Sequence, residues 1–328
     1  MKTFHIDRPT GFRLQSATDF YAQFTPGSGM AAASTDGLVL AFRLDGTFAA
    51  VAASLREEGE RLVVDFAGTD DAGAVRRQVA RILGLEADAD AWRELGARNA
   101  TVGVLQREFP GFFTAAKSSP YDAATWAVIA PRMPMNLAAA VKNALARTHG
   151  DAVRLGGVEH RVFPGPEALA RLERCEGLAD EKVARLRGVA QAALEGRLDA
   201  DVLRGMSEEV ALRELQKLRG VGPWAASHIY YRGAAPVDAL PTAEPRVLHG
   251  LAHALGVAAV TPEDFVREAE GWRPYRMWVA VLLSRHLART DGWRSPGLAE
   301  ERTRSGRALA KRVCAGRARE PGLPSFHA

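Results

Sequence analysis

The run Leu215-Gln216-Lys217-Leu218-Arg219-Gly220-Val221-Gly222-Pro223-Trp224-Ala225-Ala226-Ser227-His228-Ile229-Tyr230-Tyr231 constrains this chain more than any other stretch. Two glycines and a proline break an otherwise helical pattern there, so one helix must end and another must begin within a few residues. Ser207 suits the N-cap of the first helix, Glu208 and Glu209 suit its positive end, and Val210, Ala211, Leu215 and Leu218 recur at helical spacing. Gly220 and Gly222 flank Val221, so both glycines are free to take positive φ and approach a ligand, while the Val221 side chain can anchor the turn. Pro223 fits the first position of the second helix and Gly233 its C′ stop. Such a turn has two readings: a nest of outward N–H groups that holds a phosphate without reading its base, or a tight link between two core helices.

The rest of the chain divides by pattern. Val39 to Leu44, Phe48 to Ala53 and Leu62 to Phe66 read as short strands separated by Asp45-Gly46 and by the charged stretch Arg56 to Arg61, an antiparallel meander. A helix from Ala72 to Leu85 carries Val75, Val79, Ile82 and Leu83 on one face behind Asp70 and Asp71, and Phe20 to Phe24 suggests an earlier one. After Pro110-Gly111 the pattern turns wholly helical, with apolar faces over Tyr121 to Ile129, Met135 to Ala146, Pro166 to Cys175, Asp180 to Leu194, Val247 to Leu255, Pro262 to Glu270 and Tyr275 to Leu287. The expected organisation is an α+β domain over residues 1–105, an all-α domain in two subdomains over 106–294, and a basic tail over 295–328.

Charge and cysteine usage exclude several classes. Forty-three Lys plus Arg against 39 Asp plus Glu give a formal +4, a mild bias compatible with a polyanionic partner. The bias concentrates between Arg294 and Glu320, where eight basic residues face three acidic ones, a segment that suits phosphate contact or a solvated helix. Cys175 and Cys314 stand alone, which indicates neither a disulfide framework nor an iron–sulfur cluster. His249 and His253 lie four apart, but Gly250 stands where a zinc-protease helix needs glutamate, so they read as solvated helix residues. No basic-then-apolar leader and no membrane-length apolar run is present, which leads to the expectation of a cytoplasmic, nucleoid-associated protein with no membrane association and no obligate protein partner.

Several separated pieces occur in a specific order: LRGVGPWAASHI, VDALPTAEPRVL, GWRPYRMWVAVLL and TDGW, preceded by ILGLEADADAW, Pro110-Gly111 and LARLERCEGLADEKVARLRGVAQAAL. Together they resemble the helix-hairpin-helix DNA glycosylase superfamily, in particular bacterial 3-methyladenine DNA glycosylase II, over roughly residues 75 to 294. The resemblance implies a TATA-binding-protein-like N-terminal domain and hydrolysis of the N-glycosidic bond of an alkylated or otherwise damaged base flipped from double-stranded DNA. It implies no cofactor beyond a monovalent ion at the hairpin, whose phosphate-binding residues are Leu218, Gly220, Val221 and Gly222. Relatives that also cut the strand carry a lysine where this chain has Trp224, and an indole forms no Schiff base, so a monofunctional enzyme with Trp224 lining the base pocket is implied.

The chain departs from that pattern at its chemistry. Glu244 occupies the place of the catalytic aspartate, one methylene longer, and a glutamate beside Pro245 also suits a helix start with no chemistry at all. Asp238 is the reserve carboxylate. His228 replaces a pocket tyrosine, Pro245 an aromatic and Ala288 a tryptophan, leaving His228 to hydrogen-bond the extruded base or simply to support the helix. Pro131 replaces a glutamine, and Arg132 or Met133 would fill the gap left by the flipped base, or else lie in a rigid surface turn. These departures keep a second expectation open, a catalytically altered or inactive DNA-binding member of the same fold.

Overall fold

The structure, a computed structural model, describes residues 1–23, 29–34 and 37–290. Its N-terminal part is a five-stranded antiparallel sheet in the order β1-β5-β4-β3-β2, formed by β1 (Lys2–Asp7), β2 (Ala31–Ser34), β3 (Gly37–Arg43), β4 (Ala50–Glu58) and β5 (Arg61–Ala67). Helix α1 (Leu14–Gln23) lies between β1 and β2, and Asp45-Gly46, with Gly46 at φ 76°, lies in the link between β3 and β4. The charged stretch expected to separate two strands is instead the end of β4, and the turn falls at Gly59 with φ 60°. Arg56 explains the extension: it forms ion pairs with Glu58 and, across the ladder, with Asp65, so its charge lies on the wetter face of a continuing strand.

Helix α2 (Ala72–Leu83) starts where expected, with Asp71 Oδ1 accepting from Ala74 N at 2.9 Å, and buries Val75, Val79, Ile82 and Leu83. Helices α3 (Ala89–Arg98) and α4 (Ala100–Glu108) lead to α5 (Pro120–Ile129) and α6 (Met135–His149). The stretch expected to be wholly helical then contains a hairpin, β6 (Asp151–Leu155) with β7 (Val158–Val162), turned by Gly156 and Gly157 at φ 56° and 82°. Two adjacent positive φ angles favour glycine and match the twist of a two-residue hairpin. Val153, Leu155 and Val162 pack on Ala52 of β4, and Arg43 donates to the Phe163 carbonyl at 2.6 Å while pairing with Asp151, so the hairpin extends the sheet side of the molecule.

The further helical segments among the described residues are α7 (Pro166–Ala170), α8 (Asp180–Leu194), α9 (Ala200–Arg204), α10 (Glu208–Gln216), α11 (Pro223–His228), continued by a π-helical turn over Ile229–Ala234, α12 (Pro245–Leu255), α13 (Pro262–Glu270) and α14 (Arg276–Thr290). Buried residues from the sheet, the helices after it and the C-terminal helices form one continuous core, in which Phe113 stacks on Trp278 at 5.2 Å. Helices α12 and α14 cross closely because Gly250 has no side chain; a Cβ there would lie 2.4 Å from the Leu283 carbonyl oxygen. No helix among the described residues is long and apolar enough to cross a membrane. The basic stretch from Arg294, with Cys314, and the aromatic Trp293 lie outside the described residues.

Candidate functional site

Ser207 Oγ accepts from Val210 N at 3.4 Å and starts α10, as its position predicts. Leu218 and Val221 are buried and pin the turn that follows. Of the two glycines only Gly220 takes positive φ, 84°; Gly222 is extended at φ −84°, ψ −177°, and forms the N-cap of α11. The two glycines therefore have different roles. Gly220 is required by backbone conformation, whereas a Cβ on Gly222 would meet nothing within 4 Å and the position opens outward. No side chain caps the start of α11 among the described residues, so its amide dipoles face outward from Gly222 and Pro223, both exposed.

Past His228 the helix continues as a π-helical turn over Ile229–Ala234 and stops at Ala235, which takes the left-handed conformation with φ 54°. Gly233 is thus not the helix stop that its position suggested. It lies inside the turn against α5, where a Cβ would sit 2.6 Å from the Pro120 Cα. Packing, not the left-handed conformation, demands that glycine.

Trp224, His228 and Arg232 follow at four-residue intervals along this continuous helical segment and so share a face. Trp224 is 50% exposed, unusual for a tryptophan, and its ring stacks on His228 at 5.4 Å and 19°. The Nε2 atom of His228 is buried and has no hydrogen-bond partner among the described residues. Behind it lies a group of charges that sequence reasoning missed. Lys142 Nζ is 2.5 Å and Lys117 Nζ 3.7 Å from the Asp122 carboxylate, all three side chains are buried, and Lys117 also sits 4.9 Å from the centre of the Trp126 ring. Burial opposes ionisation of Asp122, but Lys117 and Lys142 outweigh it and hold the carboxyl down at about 2. Asp122, a charge in an otherwise apolar helix, is the local sign of this cluster, and its partners lie on other segments.

Burial, and then Lys117 and Arg232, push His228 down from 6.5 to about 3, with Asp122 opposing. Between those two values the unfolded chain binds a proton that the folded chain refuses, so this contribution to stability is complete above 6.5 and is lost as pH falls toward 3. Urea unfolding across that interval is expected to show a smaller loss of stability on acidification for His228→Gln than for the native chain; equal losses would place the titration elsewhere.

The two carboxylates separate clearly. Glu244 is the N-cap of α12, half-buried, with Oε1 accepting from Arg246 N at a long 3.3 Å. Asp238 is fully engaged: Oδ1 accepts from Arg276 Nε at 2.7 Å and Oδ2 from Arg273 at 2.8 Å, which ties the loop before α12 to the start of α14. The same loop is held from the other side by Glu208 of α10, which accepts from the Tyr231 hydroxyl at 2.7 Å and from Leu240 N at 3.4 Å. Burial lowers the Arg232 guanidinium's pKa, Arg246 adding to the effect and Glu244 opposing it.

Between α5 and α6 the turn Ala130-Pro131-Arg132-Met133-Pro134 places Arg132 in the left-handed region at φ 58°, exposed, while Met133 is half-buried against the core. A non-glycine residue in that conformation costs about 1–2 kcal/mol. Lys182 of α8 supplies the restraint, donating from Nζ to the carbonyls of Ile129 and Pro131, each at 2.7 Å. His249 and His253 are exposed as expected, yet both have partners: His249 Nδ1 lies 2.7 Å from the Pro245 carbonyl, and His253 Nδ1 lies 2.8 Å from His286 Nε2, whose Nδ1 meets Glu108 at 2.5 Å. No group of three or more His, Cys, Asp or Glu gathers to hold a metal among the described residues. Cys175 is half-buried, and burial pushes its thiol up to about 11, out of reactive range.

No family model matches the sequence. The DNA-3-methyladenine glycosylase of Bacillus subtilis (strain 168) is 25% identical over 213 residues, 62% of this chain and 69% of that protein. The DNA-3-methyladenine glycosylase 2 of Escherichia coli (strain K12) is 25% identical over 200 residues, 60% of this chain and 66% of that protein. Among solved structures, the 3-methyladenine DNA-glycosylase from Archaeoglobus fulgidus superposes with a TM-score of 0.70 at 21% identity, covering 87% of this chain and 97% of that one. The chain therefore has the fold of the helix-hairpin-helix DNA glycosylases, and its sequence is related to the bacterial 3-methyladenine DNA glycosylases.

Proposed function

We propose that the chain is a monofunctional DNA glycosylase that hydrolyses the N-glycosidic bond of alkylated or otherwise damaged bases in double-stranded DNA. The observation that carries this reading is the half-exposed Trp224–His228 stack, which follows directly on the uncapped glycine turn. In this reading the hairpin of Leu218, Gly220, Val221 and Gly222 grips a backbone phosphate through its amides, with a monovalent ion on its carbonyls. Trp224 and His228 receive the extruded base, and Arg132, projected by its left-handed backbone, fills the gap with Met133 behind it. Glu244 stabilises the developing sugar cation and orients water, while Asp238 positions the loop that carries it. Residues 1–105 act as a TATA-binding-protein-like domain, 106–294 as the catalytic helical domain with its one hairpin, and 295–328 as a basic tail on the DNA, in a nucleoid-associated protein.

The test is release of bases from alkylated duplex, with hot alkali revealing abasic sites on a gel. Binding without any abasic product across a lesion panel would favour the inactive, DNA-binding reading, which the long cap from Glu244 and the Pro131 departure support. Gly222→Glu separates the hairpin from the core: nothing in the fold fills the space beside Gly222, so the variant is expected to unfold like the native chain, yet to lose most of its duplex affinity and flatten its salt dependence. Unchanged affinity would remove the hairpin from the interface.

A further inference from the structure

The loop that carries Glu244 is tied to the helical core at Leu240. Both carboxylate oxygens of Glu208, in the first turn of α10, are engaged there: Oε1 accepts from the Tyr231 hydroxyl at 2.7 Å and Oε2 from Leu240 N at 3.4 Å. The same hydroxyl lies 3.2 Å from the Leu240 carbonyl oxygen, so Glu208 and Tyr231 together hold both the N–H and the C=O of that residue. Tyr231 and Leu240 are buried, which shields these bonds from exchange with water. Burial, and then Glu208, raise the Tyr231 phenol above its ordinary range, so the hydroxyl keeps the proton that it donates. Tyr231 belongs to the π-helical turn over Ile229–Ala234, whose wider bond spacing gives its side chain a direction that an α-helical continuation of α11 would not. From Leu240 to Glu244 the chain has little freedom. The Leu240 carbonyl also accepts from Thr242 N at 2.9 Å, Glu244 N donates to the Pro241 carbonyl at 3.1 Å, and the Pro241 ring fixes its own φ. A shift at Leu240 is therefore passed on to the N-cap of α12, which is Glu244 itself.

We propose that Glu208 and Tyr231 are positioning residues for base excision: they fix Leu240 and, through the turn from Leu240 to Glu244, set where the Glu244 carboxylate stands. The proposal rests on the glycosylase reading above and on Glu244 as the carboxylate that stabilises the sugar cation. The part of both residues is geometric, and neither has to contact DNA. A carboxylate helps a developing cation only from a short, defined distance, and a displacement of about 1 Å can cost about a hundredfold in rate. This anchor differs from the one at Asp238, which pairs with Arg273 and Arg276 and joins the loop to the start of α14. Glu208 and Tyr231 hold the residue from which the turn into Glu244 begins. Removing the Tyr231 hydroxyl leaves Glu208 Oε1 without its donor and takes one of two donors from the Leu240 carbonyl, while the ring keeps its packing. The loss falls on the placement of Glu244. The glycine turn lies beyond the other end of α10 and keeps its own anchors, Leu218 and Val221.

The experiment measures single-turnover base release from duplex methylated with dimethyl sulfate, and affinity for the same duplex by gel shift. The chains compared are the native protein, Tyr231→Phe, Glu208→Ala, Glu244→Gln and the double variant Tyr231→Phe/Glu244→Gln. Tyr231→Phe is expected to lower the release rate by about ten- to a hundredfold, with duplex affinity unchanged, and Glu208→Ala to lower it at least as far. In the Glu244→Gln background the same Tyr231→Phe change is expected to alter the rate by less than about twofold, because with the charge gone nothing is left to position. A residue that merely supports the fold would lower the rate equally in both backgrounds. That equal loss, a native rate for Tyr231→Phe, or an affinity that falls with the rate overturns the inference and leaves the glycosylase reading standing. A Glu244→Gln variant as fast as the native chain does the same. A native chain that binds duplex but releases no base overturns the reading and the inference together. Should Glu208→Ala fail to fold, Tyr231→Phe, which removes a single oxygen atom, carries the comparison.

Discussion

Glu244→Gln is expected to slow base excision by a factor on the order of 10²–10⁴, the usual worth of a positioned acid–base group, with duplex affinity and folding unchanged. The amide keeps an oxygen that can accept from Arg246 N, so the cap of α12 survives while the charge proposed to stabilise the sugar cation is lost. Single-turnover release and a gel shift on the same preparation separate the two effects. An excision rate equal to that of the native chain would move the chemistry to another residue. Asp238→Asn is the informative contrast: its carboxylate accepts from both Arg273 and Arg276, so its loss is expected to lower the unfolding midpoint rather than the chemical step alone.

Asp122→Ala is expected to cost about 3–5 kcal/mol of folding stability, because it leaves the Lys142 ammonium buried without the carboxylate 2.5 Å away. Lys117 is 0% and Lys142 4% exposed, so neither reaches water without rearrangement of α5 and α6. Urea unfolding of the native and variant chains measures the difference directly. A loss below about 1 kcal/mol, the range of an exposed pair, would mean that these charges are solvated.

The elements that carry a strong local signal were legible before any coordinates. The apolar face of α2, the Ser207 cap, the turn anchored by Leu218 and Val221, and the order of the helices after it all follow from period and capping chemistry. What escaped was set by tertiary context. The β6–β7 hairpin is short, and its Gly156-Gly157 turn with alternating Val153, Leu155, Val158 and Val162 was a signal available but outweighed by helical neighbours. Gly233 looked like a stop because glycine after a helix so often is one, yet its reason is the approach of Pro120, a contact 113 positions away in sequence that no local pattern encodes. The charge cluster around Asp122 was equally hidden, since Lys117, Lys142 and Arg232 lie on separate segments and meet only in the fold. Trp224 and His228 were singled out by the family resemblance; that they stack on one another with Trp224 half-exposed is a feature only the fold reveals.

Helix α8 links two places that the sequence presents as unrelated. Lys182 holds the carbonyls of the turn that carries Arg132, and three residues later the aliphatic part of Arg185 lies against Gly220, its Cδ 2.7 Å from where a Cβ would stand. Positions three apart share a helix face, so less than one turn of α8 sets the separation between Arg132 and the glycine turn. If the two turns hold DNA as proposed, α8 is a fixed calliper between them, and the spacing of its jaws is a property of one rigid element.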